Sequence, residues 1–173
     1  MNTPTTPVRV VLSLGANLGD RRSYLQSAVD SLAAFATVVA VSPVYETAPV
    51  GGPVQPDYLN AVVLIDTHDA PLALMLRCHD VEHLAGRVRG ERWGPRVLDI
   101  DVICYGDLSS DDPTITVPHP RASERTFVLR PWLDVDPDAH IAGASVADLV
   151  ATLGTVGLTR RDDLALALPP SRS

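Results

Sequence analysis

Between Val97 and Tyr105 every residue is apolar or aromatic except Asp99 and Asp101. A run this rich in Val, Ile and Leu predicts a mostly buried strand. Side chains alternate faces along a strand, so the two aspartates project from one side, about 7 Å apart. They repel each other, and each is costly to desolvate. A hard divalent cation offsets both costs, and Mg²⁺ needs few protein ligands when phosphates supply the others. Just upstream, Arg87, Arg89, Arg92 and Arg96 fall within one short segment. Guanidinium forks bind phosphate oxygens in pairs. Taken singly, the aspartates read as structural carboxylates and the arginines as a solvated charged loop. Side by side, metal-binding carboxylates and phosphate-binding arginines point to phosphoryl transfer.

Three further segments carry candidate chemistry. Tyr58 and Asn60 lie two apart on a predicted strand and share a face. An aromatic ring beside an amide suits a flat heterocycle, although closing a loop is the plainer reading. His119 sits between two prolines, with Arg121 and Arg125 close by as additional phosphate-binding capacity. "SLGANLGDRR" is a Gly-containing strand-to-helix turn without the Gly-Lys-Ser/Thr ending or a GxGxxG pattern, and a tight turn plus a helix cap accounts for it. No HxxEH, CxxC or His cluster suggests zinc.

The 173 residues suit a single domain, with a core from about 8 to 150. The formal net charge is -7, which argues against a nucleic-acid partner bound through a basic surface. All 14 basic side chains are Arg, and there is no Lys. Cys78 and Cys104 read as buried thiols, not a disulfide framework. The opening "MNTPTTPVRV" has no secretory pattern, and the longest apolar stretch, "LAAFATVVAV", is too short to span a bilayer. A cytoplasmic monomer without a membrane partner is expected.

Patterning places a strand at 8–15, with Asp20 capping a helix that runs to about 36. A strand at 37–47 contains Pro43, which favours an edge or a bulge. After a Pro/Gly-rich loop come a strand at 58–67, a helix from Pro71 to about Gly86, and the acidic strand. The order β-α-β-β-α-β predicts an α+β ferredoxin-like sandwich, with two helices on one sheet face and C-terminal additions. A further helix is expected to start at Ser145, with Asp148 three residues on. Residues 158–173 show little pattern and receive no role.

Four blocks, "SLGANLGD", "VYETAPVGGPVQPDYLNAVV", "GRVRGERWGPRVLDIDVICYG" and "TVPHPRASERTFVLRP", together resemble the 6-hydroxymethyl-7,8-dihydropterin pyrophosphokinase family of folate biosynthesis. The resemblance implies transfer of pyrophosphate from ATP to the pterin hydroxymethyl group, with AMP released. It implies that Asp99 and Asp101 bind two Mg²⁺ ions. Arg92 and Arg96 match arginines that contact ATP phosphates, and Arg87 and Arg89 match a catalytic loop that closes over the nucleotide. Glu82, Thr116, His119 and Arg125 match nucleotide-contacting positions. Thr47, Val50, Tyr58 and Asn60 match the pterin pocket wall, and Trp93 and Phe127 the residues that sandwich the ring. The chain departs from the pattern at Ala48, where the family often has Pro, and at Thr114, where it has Arg. Its Arg loop is one residue shorter, with no Lys after Arg89. A Mg²⁺-dependent nuclease using the same aspartates and a non-catalytic ligand-binding module are the competing readings. The acidic charge disfavours the first, and the second leaves the Arg loop and Asp pair unexplained.

Overall fold

The computed structural model describes residues 3–86 and 94–170. Its elements begin with β1 (Val8–Ala16), α1 (Arg21–Leu32), β2 (Thr37–Val41), β3 (Tyr45–Thr47), β4 (Tyr58–Thr67), α2 (Pro71–Leu84) and β5 (Asp99–Tyr105). They continue with β6 (Ser110–Asp112), β7 (Ile115–Val117), α3 (Thr126–Val135), β8 (His140–Ile141), β9 (Ala144–Ser145), α4 (Val146–Leu153) and β10 (Leu158–Arg160).

The main sheet is antiparallel, in the order β10-β3-β4-β1-β5, and β2 also pairs with β4. β2 and β3 lie end to end along one edge of β4, while β4 and β5 flank β1. This is the strand arrangement expected of the ferredoxin-like β-α-β-β-α-β unit. Pro43 divides the expected 37–47 strand in two, because it cannot donate to the ladder. Ser42 patches the break: its hydroxyl accepts the Val62 N–H at 2.8 Å, and its own N–H donates to the Val62 carbonyl at 2.9 Å.

Alternation decides what each sheet face does. Val10, Leu12 and Leu14 of β1, Leu59, Val63 and Ile65 of β4, and Ile100 and Val102 of β5 pack against α1 and α2 in one core. The opposite set, Val11, Val62, Leu64 and Ile103, packs under α3 and α4 in a second core. α1 and α2 share one face as expected, and α3 and α4, whose place the sequence pattern left open, cover the other. The unforeseen element is α3. Pro131 inside it disguises a helix, yet Val128, Leu129 and Trp132 bury one apolar stripe against the sheet.

The Asp20 side chain caps α1, accepting the Ser23 N–H at 3.1 Å, and Ser145 caps α4 at the Asp148 N–H. The tail also has a place. β10 adds to β3, and Arg22 and Gln26 of α1 donate to the Ala165 and Ala167 carbonyls at 2.9 and 3.2 Å. Leu129 is fully buried between α3 and the sheet. Leu129→Ala is expected to lower unfolding free energy by about 2–4 kcal/mol, read as a lower urea midpoint at constant m-value.

Candidate active site

Beyond the reach of α3 the second sheet face changes character. The same alternating set continues as Ser13 and Gly15 of β1, Tyr58 and Asn60 of β4, and Asp99 and Asp101 of β5. Register aligns Asn60, Gly15 and Asp99 in one row across three strands, with Ser13 beside Asp101 in the next. On β3, one strand in from β10, Thr47 pairs with Tyr58. These residues floor a cleft of about 560 Å³, walled by residues 47–51 and Gln55 on one side and residues 119–121 and 124–127 on the other. Asn60 is buried and donates to the Thr47 hydroxyl at 2.9 Å, fixing its amide orientation. A Cβ at Gly15 would meet Asn60 Oδ1 and Tyr58 Cδ1 at 3.7 Å each, so the glycine keeps the middle of the floor low.

The acidic end of the row is neutralised by arginines. Arg96 Nη1 lies 2.6 Å from Asp99 Oδ2, and Arg125 Nη1 lies 3.6 Å from Asp101 Oδ2. Burial works against the charge on Arg96, but Asp99 outweighs it and raises the pKa. For Arg125 burial dominates and pushes the pKa down, Asp101 offsetting it in part. The Arg125 guanidinium also lies over the Phe127 ring, 5.7 Å from its centroid.

His119 reaches the cleft through an irregularity in the sheet. Register between β1 and β5 shifts after Val11, leaving Ile103 as an extra residue. The Ile103 carbonyl accepts the His119 N–H at 2.8 Å, anchoring the loop to β5. His119 Nδ1 accepts the Arg121 N–H at 3.2 Å, which leaves the ring proton of the neutral form on Nε2. Burial, followed by the charge of Arg125, pushes the His119 pKa below its usual value.

A family model described as 7,8-dihydro-6-hydroxymethylpterin-pyrophosphokinase (HPPK) matches residues 11–137. The chain belongs to the HPPK family. It is 49% identical over 156 residues to a Mycobacterium leprae protein named 2-amino-4-hydroxy-6-hydroxymethyldihydropteridine pyrophosphokinase, covering 84% of this chain and 81% of that one. A Pseudomonas aeruginosa protein of the same name is 39% identical over 155 residues, covering 88% and 96%. Among solved structures, wild-type Plasmodium falciparum HPPK-DHPS with pterin and p-hydroxybenzoate superposes with a TM-score of 0.69 at 14% identity. That match covers 88% of this chain but only 42% of the Plasmodium chain, and it speaks for the fold.

Of the HPPK-type residues anticipated from sequence, the cleft gathers Thr47, Val50, Tyr58, Asn60, Arg96, Asp99, Asp101, His119, Arg125 and Phe127. Arg87, Arg89, Arg92 and Trp93 lie outside the described residues. Glu82 and Thr116 do not line the cleft. Glu82 is buried on α2 and accepts the Ile100 N–H at 2.7 Å, so it holds the β5 backbone between the two aspartates. The Thr116 hydroxyl donates to the Asp112 carbonyl at 3.0 Å, within the β6–β7 ribbon.

Sequence reasoning missed Ser13 and the central support, Asn17. Asn17 is buried; its Oδ1 accepts the Arg96 N–H at 2.7 Å, and its Nδ2 donates to Gln55 Oε1 and the Pro56 carbonyl at 2.9 and 3.0 Å. One side chain thus joins the turn after β1, the approach to β5 and the 48–57 loop. Its place within "SLGANLGD" was the available signal. The described residues contain no group of three or more His, Cys, Asp or Glu able to enclose a metal ion. Two carboxylates on one face, open to a cleft, instead fit a cation that keeps water or phosphate oxygens as its remaining ligands.

The depressed pKa of His119 sets a pH dependence. Below the ordinary histidine pKa of about 6.5 the unfolded chain protonates this ring more readily than the folded one, so acid costs folded stability. His119→Gln is therefore expected to gain stability relative to wild type as pH falls from 8 towards 5. Urea midpoints measured across that range check the sign, and a pH-independent gap contradicts it.

Proposed function

We propose that this chain transfers pyrophosphate from ATP to the hydroxymethyl group of 6-hydroxymethyl-7,8-dihydropterin, releasing AMP, in tetrahydrofolate biosynthesis. It acts as 2-amino-4-hydroxy-6-hydroxymethyldihydropteridine diphosphokinase. The observation that carries this reading is the row Asn60–Gly15–Asp99, set in a family whose curated relatives carry that enzyme name. The row joins an aromatic–amide wall to an acid pair across three strands, about 10 Å from one end to the other.

In this reading Asn60 and Thr47 present amide and hydroxyl groups to the ring edge, and Tyr58 and Phe127 offer aromatic faces. Val50 adds an apolar contact from the loop, and the resemblance gives Trp93, with Phe127, the two faces of the ring. Asp99 and Asp101 would hold two Mg²⁺ ions, which supply charge neutralisation and orient the phosphate oxygens. Arg96, Arg125 and His119 bind the polyphosphate, and the resemblance gives Arg87, Arg89 and Arg92 the same task. Glu82 and Thr116 serve the nucleotide side by holding β5 and the β6–β7 ribbon. The hydroxymethyl oxygen attacks the β-phosphorus and gives up its proton to solvent, the bond from that phosphorus to the α–β bridging oxygen breaks, and AMP leaves carrying that oxygen. No strong base is needed, since positioning and charge neutralisation supply most of the acceleration. The arginines steady the charge that develops on the leaving AMP.

Both substrates are small molecules. The chain is read as acting as a monomer, and the net charge of -7 supports action without nucleic acid. Among the described residues no helix is long and apolar enough to cross a membrane. A cytoplasmic setting accords with the ATP requirement.

Purified protein given ATP, Mg²⁺ and the reduced pterin is expected to release AMP, and release of ADP or of nothing contradicts the proposal. Asp99→Asn and Asp101→Asn are each expected to lower turnover by about 100-fold or more while the far-UV spectrum is unchanged. Gly15 gives a steric counterpart. Gly15→Ala makes only ordinary contacts and keeps turnover within a few fold. Gly15→Leu fills the floor and is expected to lower pterin affinity about 100-fold, read by steady-state kinetics.

A further inference from the structure

On the reverse side of the pterin wall lies a charged cluster that the reaction itself does not use. Glu46 stands between Tyr45 and Thr47 on β3, so its side chain leaves the face opposite to Thr47, towards α1. Arg21, the first residue of α1, places one guanidinium nitrogen 2.7 Å from Glu46 Oε1. The same nitrogen donates to the Asp57 carbonyl at 2.8 Å. The other oxygen of Glu46 accepts from Arg161, just past β10. Arg161 is itself held: Nε and Nη2 donate to Asp163 at 2.9 and 2.8 Å, and its backbone N–H donates to the Val44 carbonyl at 2.8 Å. Burial opposes the charge on Glu46, but the two arginines outweigh it and hold the carboxyl below its usual range.

The position of these groups gives the cluster its meaning. Glu46 immediately precedes Thr47, and Asp57 immediately precedes Tyr58. Thr47 and Tyr58 are the cross-strand pair from which the 48–57 loop departs and to which it returns. Arg21 therefore grips both ends of that loop with a single nitrogen, and Arg161 fixes the carboxylate that Arg21 grips. Between those ends Gly51 and Gly52 adopt φ of 74° and 81°, and Val50 and Val54 are exposed. The loop's course is thus set at its two feet. The tail contributes through the short β10–β3 ladder, Leu158 facing Thr47 and Thr159 facing Glu46.

We propose that Arg21, Glu46 and Arg161 are positioning residues for the pterin: a clamp behind the sheet that fixes both feet of the 48–57 loop, with the C-terminal segment as one of its arms. None of the three lines the cleft, so they act on the ligand only through the loop. The kinetic half of this proposal rests on the pyrophosphokinase reading above. The loop-fixing half does not.

The test compares wild type with Glu46→Gln, Arg161→Ala and Arg161→Lys in the full chain. Steady-state kinetics give kcat and the KM for each substrate. Hydrogen exchange gives the protection of amides in 48–58 against those of β1. Glu46→Gln and Arg161→Ala are expected to raise the KM for the dihydropterin roughly five- to tenfold while the KM for ATP changes less than about twofold. Arg161→Lys, which keeps the charge, restores most of the wild-type value. Loop amides exchange about tenfold faster in the two disrupted variants, while β1 amides do not change. An unchanged pterin KM overturns the proposal. So does a parallel rise in both KM values with faster β1 exchange, since that marks general loosening. Should wild type form no AMP at all, the functional reading fails, and loop exchange alone then judges the clamp: faster in the variants supports it, equal overturns it.

Discussion

The fold depends on one constraint: a single face of a single sheet must be apolar at one end and ionised at the other. Val11, Val62, Leu64 and Ile103 occupy the first end and are sealed by α3 and α4. Two or four residues further along the same strands stand Ser13, Gly15, Asn60, Asp99 and Asp101. A helix laid over both ends would strip water from the acid pair at a cost no nearby packing could match. The cover therefore stops at Thr126, and what stands over the acidic end is a cleft edged by loops and arginines. The first turn of α3, with Thr126 and Phe127, is where the helical cover gives way to the site.

A floor of paired strands is rigid, but the groups that must meet the ligands stand on segments with little regular structure. Each such segment is tied to the floor by a buried polar contact. Asn17 gathers the turn after β1, the backbone of Arg96 and the end of the 48–57 loop. The extra residue Ile103 offers its carbonyl to His119. Glu82 reaches across from α2 to hold the backbone of Ile100 between the two aspartates. An unpaired buried amide or carbonyl costs about as much as a lost hydrogen bond, so each of these contacts has essentially one satisfied arrangement. That is how irregular chain acquires fixed positions.

Some of this was written plainly in the sequence and some was not, and the division has physical causes. Alternation announced β1, β4 and β5, and two aspartates in an apolar run announced that one face was special. Asp20 and Ser145 announced their helices as caps. α3 was hidden because Pro131 removes a helical donor, while the apolar stripe that overrides it needs the sheet as a partner to be visible. Pro43 was read as the mark of an edge or a bulge; the division of the strand there, and its repair by the Ser42 hydroxyl, were not foreseen. β10 was illegible since a three-residue strand exists only by virtue of the β3 edge beside it. The bulge at Ile103 is a matter of register between strands far apart in sequence, and no local pattern encodes it. Asn17 lay inside a motif that had drawn attention for its glycines; only the tertiary contacts show that the asparagine joins three segments.

The pairing of charges within the cleft bears on what it can accept. Asp99 and Asp101 each face an arginine, so the site as folded holds opposite charges in balance. A bare polyanion could win the arginines only by leaving two carboxylates uncompensated beside it. A bare cation could win the carboxylates only by freeing two partly buried guanidinium groups. Either exchange replaces satisfied pairs with unsatisfied ones in a site of reduced dielectric, where such losses are large. A ligand that brings both signs together, as a metal-bound polyphosphate does, exchanges both partnerships at once and leaves every charge paired. On the proposed reading, selectivity for the magnesium complex over free nucleotide therefore begins in the protein's own ion pairs. The discrimination rests as much on what wrong ligands leave behind as on what the right one gains.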